Sequence, residues 1–157
     1  MMKASISMDS LALQDVTHQL VQHFIAELQD MLDDLGAGTL SPQQSNVLDK
    51  IVVFFDQEMK DHHREEEGHV FPLLLSQGDP ALSEKVRVLQ ADHDELRIGW
   101  RKLKSCIQQA QTASPVDAQA LHTSFDQYST CFARHLALEE SIQFSPETQL
   151  LFKRWDT

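Results

Sequence analysis

Four stretches of this chain carry apolar residues at steps of three and four, and each file is broken by a histidine. Such steps mark one face of an α-helix, so the chain is constrained to helices that face one another. The second stretch shows the break most clearly. Leu48, Val52, Phe55 and Met59 recur at alternating steps of four and three, and the same steps continued reach His62, Glu66 and His69. A seam that should be oily turns into imidazole and carboxylate. Charged groups seldom sit in a bundle core unless they are paired or bind a metal.

The other files behave alike. The first reads Leu11, Gln14, His18, Val21, Ile25, Leu28, Leu32 and Leu35; the third Leu82, Val86, Leu89, His93, Leu96, Trp100, Leu103 and Ile107. The fourth reads Leu121, Phe125, Tyr128, Phe132, His135, Glu139 and Ile142. Punctuation fits between them. Residues 1–9 read as a loose leader, and a helix from about Ser10 is predicted to end at Gly36-Ala37-Gly38. Ser41-Pro42-Gln43-Gln44 offers an N-cap, a proline at the first helical position and a glutamine three after the cap. Pro72, without an amide donor, is expected to kink or finish the second helix near Phe71. Gly78-Asp79-Pro80 closes the next loop, Ser114-Pro115-Val116-Asp117 caps the fourth helix, and Ser145-Pro146-Glu147 starts a last short one ending near Trp155. The expected fold is all-α: an up-down-up-down four-helix bundle with a short C-terminal fifth helix, as one domain over 1–157.

Composition narrows the function classes. A net charge of −11 argues against a nucleic-acid backbone or an anionic membrane as the main partner and is compatible with cation binding. No apolar run is long enough to span a bilayer, and no basic segment leads into an apolar one at the N-terminus, so a cytoplasmic location is expected. Cys106 and Cys131 form no C-x-x-C pair and read as buried or half-buried thiols.

In antiparallel helices the heights of the histidines can be counted. His62 follows Pro42 by 20 residues, His135 follows Pro115 by 20, His93 follows Pro80 by 13, and His18 precedes Leu35 by 17. At ~1.5 Å per residue the mismatches are about one turn, so one histidine from each helix reaches a common layer. Glu66 and Glu139, each four residues after a histidine, lie one turn along the same face. A lone histidine on an apolar face is usually a core residue with one hydrogen bond. Four of them at one level, beside two carboxylates, would satisfy one another only imperfectly without a metal.

The same steps choose among neighbours: His62 over His63, Glu66 over Glu65 and Glu67, Glu139 over Glu140. The rejected residues read as a solvated face, with a supporting role for Glu140 left open. His23 falls outside the seam, and Tyr128 and Trp100 read as core aromatics. His69 stands on the seam three residues past Glu66 and leans back toward it; it is either a ligand or a cap on the site. The metal candidates are thus His18, His62, Glu66, His69, His93, His135 and Glu139. Mixed imidazole and carboxylate without thiolate disfavours structural zinc, Fe–S clusters and Cu(I), and calcium prefers all-oxygen sites. Two Fe ions fit best and Mn second, with Glu66 and Glu139 each able to bridge through two oxygens.

These residues resemble the hemerythrin-like, or HHE cation-binding, family. The match runs His62-x-x-x-Glu66-Glu67-x-x-Val70-Phe71-Pro72, then His93-Asp94-Glu95-Leu96, then His135-x-x-x-Glu139-Glu140, with His18 in a first helix, over roughly 11–146. The resemblance implies a four-helix bundle around a non-haem di-iron centre, bridged by the two carboxylates and an oxo or hydroxo group. Family members bind O₂ reversibly, sense oxygen or iron, or react with peroxide or nitric oxide. One departure bears on this. The oxygen carriers have a second histidine on the third helix, four before the first, and here that residue is Leu89. The fifth histidine is absent unless His69 replaces it. The implied functions are a module binding O₂ or another small diatomic or peroxide ligand for storage, delivery or sensing, a di-iron enzyme consuming such a ligand, or an iron-buffering or structural bundle.

Overall fold

The computed structural model describes residues 8–35, 39–112 and 116–143, with side chains excepted at 8–16 and 143. Among them there is no strand. The first helix is Met8–Asp34, the third Pro80–Thr112 and the fourth Ala118–Gln143. The second is one helical run over 42–75, in which α-helical pieces Pro42–Val53, Met59–Glu65 and Phe71–Leu75 alternate with wide π turns at Phe54–Glu58 and Glu66–Val70. The first helix packs on the second and fourth, and the third packs on the same two. The fifth helix expected from Ser145 and the Gly36-Ala37-Gly38 stop lie outside the described residues.

Local chemistry explains the helix starts. Ser41 caps the second helix: its Oγ accepts from the Gln44 amide at 3.1 Å, and the Gln44 side chain accepts from the Ser41 amide at 2.8 Å. Asp79 caps the third through Oδ1, which accepts from the Ala81 amide at 2.9 Å, after Gly78 has turned the chain at φ +70°, a conformation glycine adopts without steric cost. The fourth helix begins later than its proline suggested. Asp117 is the cap, its carboxylate accepting from the Ala120 amide at 3.1 Å; Ser114 lies outside the described residues. Pro72 does not end the second helix, which continues to Leu75. It stands at the start of the α-helical piece that follows the wide turn, where a missing amide costs least.

The interior is layered. A large apolar block includes Val21, Leu28, Phe55, Met59, Leu96 and Phe132; a smaller one is built by Val70, Phe71, Leu74, Val86, Leu89 and Ile142. Each fully buried Leu or Phe contributes ~1.5–3 kcal/mol. Along the second, third and fourth helices, the residues between the two blocks are polar and buried: His62, His63 and Glu66, then Asp92 and His93, then His135 and Glu139. His18 of the first helix is buried as well.

Candidate metal centre

Each helix delivers its polar residues because the apolar seam on either side fixes its rotation. On the third and fourth helices the seam runs in ordinary α-helical steps, and His93, His135 and Glu139 are 0–1 % exposed. The second helix needs more. A step of four residues along an α-helix overshoots a full turn by about 40°. The wide turns, closed by bonds from the Met59 amide to the Phe54 carbonyl and from Phe71 to Glu66, take that slip back. The buried file can therefore run 55, 59, 63 on one side and 62, 66, 70, 74 on the other.

This shift corrects two expectations. His63, assigned to the solvated face, is buried, and its ring stacks on His93 with centroids 3.9 Å apart. His69, a candidate ligand on the seam, is on the surface, 48 % exposed and 3.2 Å from Glu65; Val70 takes its place inside. His23 is exposed beside Glu27, as its position off the seam implied. Tyr128 and Trp100 are buried in the large apolar block.

Seven side chains converge in two groups whose ligand atoms lie within 4.8 Å of one another: His63, Glu66, His93 and His135, and His18, His62 and Glu139. The carboxylates lie between the groups. Glu139 Oε1 is 2.8 Å from His18 Nε2 and 3.7 Å from His62 Nε2, while its Oε2 is 3.0 Å from His135 Nε2. Glu66 Oε1 is 2.7 Å from His62 Nε2 and 4.0 Å from His93 Nε2. These approaches do not satisfy the groups. His18 Nε2, His63 Nε2, His93 Nε2, His135 Nε2 and both Glu66 oxygens are buried without a hydrogen bond of good geometry. Unsatisfied buried polar atoms cost about 1–3 kcal/mol each, so this many in one place fits a cation better than it fits a structural network.

The electrostatics agree. Burial, with His93, His62 and His135 adding repulsion, lowers His63 to about 2. Burial lowers His93 to about 4 despite the opposing pull of Glu67. Both are neutral imidazoles at neutral pH, the form that binds a metal. Burial and the neighbouring Glu139 charge hold Glu66 well above the carboxylate range. Burial pushes Glu139 the same way, but His135, His18 and His62 outweigh it and hold that carboxyl well below.

Two supporting carboxylates were not legible as such. Glu67 Oε1 lies 2.9 Å from His93 Nδ1 and also accepts from Arg97 at 2.7 Å. Asp92 Oδ2 lies 3.3 Å from His135 Nδ1, and Asp92 Oδ1 is 3.4 Å from the Arg134 guanidinium. A carboxylate behind an imidazole fixes its tautomer and leaves Nε2 as the electron-pair donor. Both residues neighbour a seam residue in sequence, which is the one signal that could have found them. Glu140 is half-buried against the first helix, in a groove with Gln22 and Ile25.

No helix of the described residues is long and apolar enough to cross a membrane. No curated protein and no solved structure matches the chain. Residues 9–145 match the family model of the hemerythrin HHE cation-binding domain, a span that contains both groups of buried side chains. With most of its length matched, the chain belongs to the hemerythrin HHE cation-binding family.

Proposed function

We propose that this protein is a non-haem di-iron protein that binds O₂ or a related small ligand. The carrying observation is that two carboxylates stand between two sets of imidazoles, Glu139 with one oxygen toward His18 and His62 and the other toward His135. A carboxylate so placed suits a bridge between two ions, with Glu66 as a second bridge. The proposed ligands are His18, His62, Glu66, His93, His135 and Glu139, together with His63 in the place first given to His69. His63 then supplies the fifth imidazole that Leu89 does not. Iron is the metal these donors favour, with manganese second. A pair of iron ions would supply a reversible redox couple and open positions for a small ligand.

The chain's own part is to hold and shield. Glu67 and Asp92 orient His93 and His135. Phe71, 5.4 Å from the His93 ring, and Phe132, 6.2 Å from that of His135, keep water from two sides. The order in which the helices meet the two apolar blocks supports an up-down-up-down bundle. The second and fourth run from the large block through the polar layer to the small one, and the third runs the other way.

Protein purified without added metal is expected to carry two iron ions per chain by elemental analysis. Mixing the reduced protein with O₂, peroxide or nitric oxide under anaerobic control then separates the functions. A reversible visible band supports binding, and repeated consumption of the oxidant makes the protein an enzyme. A metal that raises the melting temperature but gives no spectral response to any of the three would leave only iron buffering or a structural role. Asp92→Asn and Glu67→Gln are each expected to weaken metal binding roughly ten- to a hundredfold in chelator competition. Unchanged competition in both would show that neither carboxylate supports the centre.

A further inference from the structure

On a chain with 24 acidic residues and 13 basic ones, five of the cations line a single groove. It lies between the second and third helices and encloses roughly 520 Å³, within the size range of small-molecule sites. Lys60 and Arg64 stand four residues apart on one wall; Arg97, Arg101 and Lys104 stand at steps of four and three on the other. Like charges at such spacing destabilise a helix, so helix formation gives no reason for the arrangement.

The acidic residues of the groove do not neutralise it. Asp56 is 2.6 Å from Lys104 Nζ and also accepts from Trp100 Nε1 at 2.8 Å. Glu67 is taken by Arg97 and His93. Lys60, Arg64 and Arg101 line the groove without an ion partner among the described residues. Between the cations, Phe55, Trp100 and Tyr128 supply an aromatic floor, and His63 lines the groove with them.

We propose that this groove binds a small amphiphilic anion: a flat apolar body bearing one carboxylate, sulfonate or phosphate. Arg64, Arg101 and Lys60 hold the charge, and the aromatic floor holds the body. The groove meets the buried histidine layer at His63, which lines both, while Lys60, Arg64, Arg101 and the aromatic floor lie outside that layer. Its test reads binding alone.

The probe is 8-anilinonaphthalene-1-sulfonate, titrated by fluorescence against the protein as purified. Its neutral counterpart, N-phenyl-1-naphthylamine, has the same rings without the sulfonate. The sulfonate is expected to saturate one site and to bind about tenfold more tightly than the neutral compound. Arg64→Glu with Arg101→Glu should weaken it at least about tenfold, whereas Lys85→Glu, a single charge reversal outside the groove, should leave it unchanged. Melting curves establish that the variants fold. If the double reversal does not, Arg64→Gln with Arg101→Gln serves in its place, with a smaller loss expected. Equal affinity for the neutral compound, an equal effect of Lys85→Glu, or the absence of saturable binding would each overturn the proposal. So would a dimer that dissociates on the double reversal, since an acidic face of a second copy would then be the occupant.

Discussion

Glu66→Gln is expected to cost the protein at least one metal ion per chain and, with metal removed, to raise its melting temperature. The two effects have one origin. Glu66 is fully buried among His62, His93 and Glu139, and burial and Glu139 hold its carboxyl well above the usual range. The metal-free folded chain therefore holds a proton there to a higher pH than the unfolded chain, whose carboxyl keeps the ordinary value of 4.5. A group raised on folding contributes its stability below the unfolded value and loses it as pH rises through the folded one. Above the ordinary value that difference counts against the folded state. Glutamine is neutral in both states and escapes it. For a chain of this size each kcal/mol recovered raises the melting temperature by roughly 2–4 °C, and the gain should shrink toward pH 5, where the unfolded carboxyl also begins to hold its proton. Chelator-treated melts at the two pH values, beside elemental analysis, decide the matter. A melting temperature that is unchanged or lower at pH 7, or a full complement of metal, would sink the assignment of Glu66 as a bridge placed at the expense of stability.

The second large effect separates two histidines six residues apart. His63→Ala is expected to lose one ion per chain, because His63 lies with Glu66, His93 and His135 in one of the two groups. His69→Ala should retain both, because His69 is half-exposed beside Glu65. Elemental analysis of the two variants is sufficient. Equal metal content in both would contradict the geometry of the second helix.

That pair also marks where the sequence could be read and where it could not. On the third and fourth helices, apart from a half-buried Leu82, every residue of the seam read from spacing is buried, because both are α-helical throughout and 3.6-residue periodicity holds along them. On the second, apart from a half-buried Val52, the same rule finds buried residues as far as Met59, His62 and Glu66, but it passes over the buried His63 and then selects His69 where Val70 is inside. A wide turn has no reliable signature in composition. The first one is held from outside itself: Asp56, in the middle of Phe54–Glu58, is pinned by Trp100 and Lys104 of the third helix. Burial works against that carboxylate, but those two donors more than compensate and keep it ionised more readily than usual. Contacts spanning more than forty positions are invisible to a periodicity argument. Asp92 and Glu67 escaped for a related reason. Each flanks a seam residue and reaches an imidazole on a neighbouring helix, and only the packing of two helices reveals such a pair.

The wide turns make the number of residues in the second helix a chemical variable. Were the turn at 54–58 closed by α-helical bonds with no residue removed, everything beyond would rotate by about 100°, swinging His62 and His63 out of register with the polar layer. Kindred chains compared without allowing a one-residue gap there would pair donors with bystanders. The spacing between the Ser41 cap and the first inward histidine is thus as much a part of the ligand set as the histidines themselves.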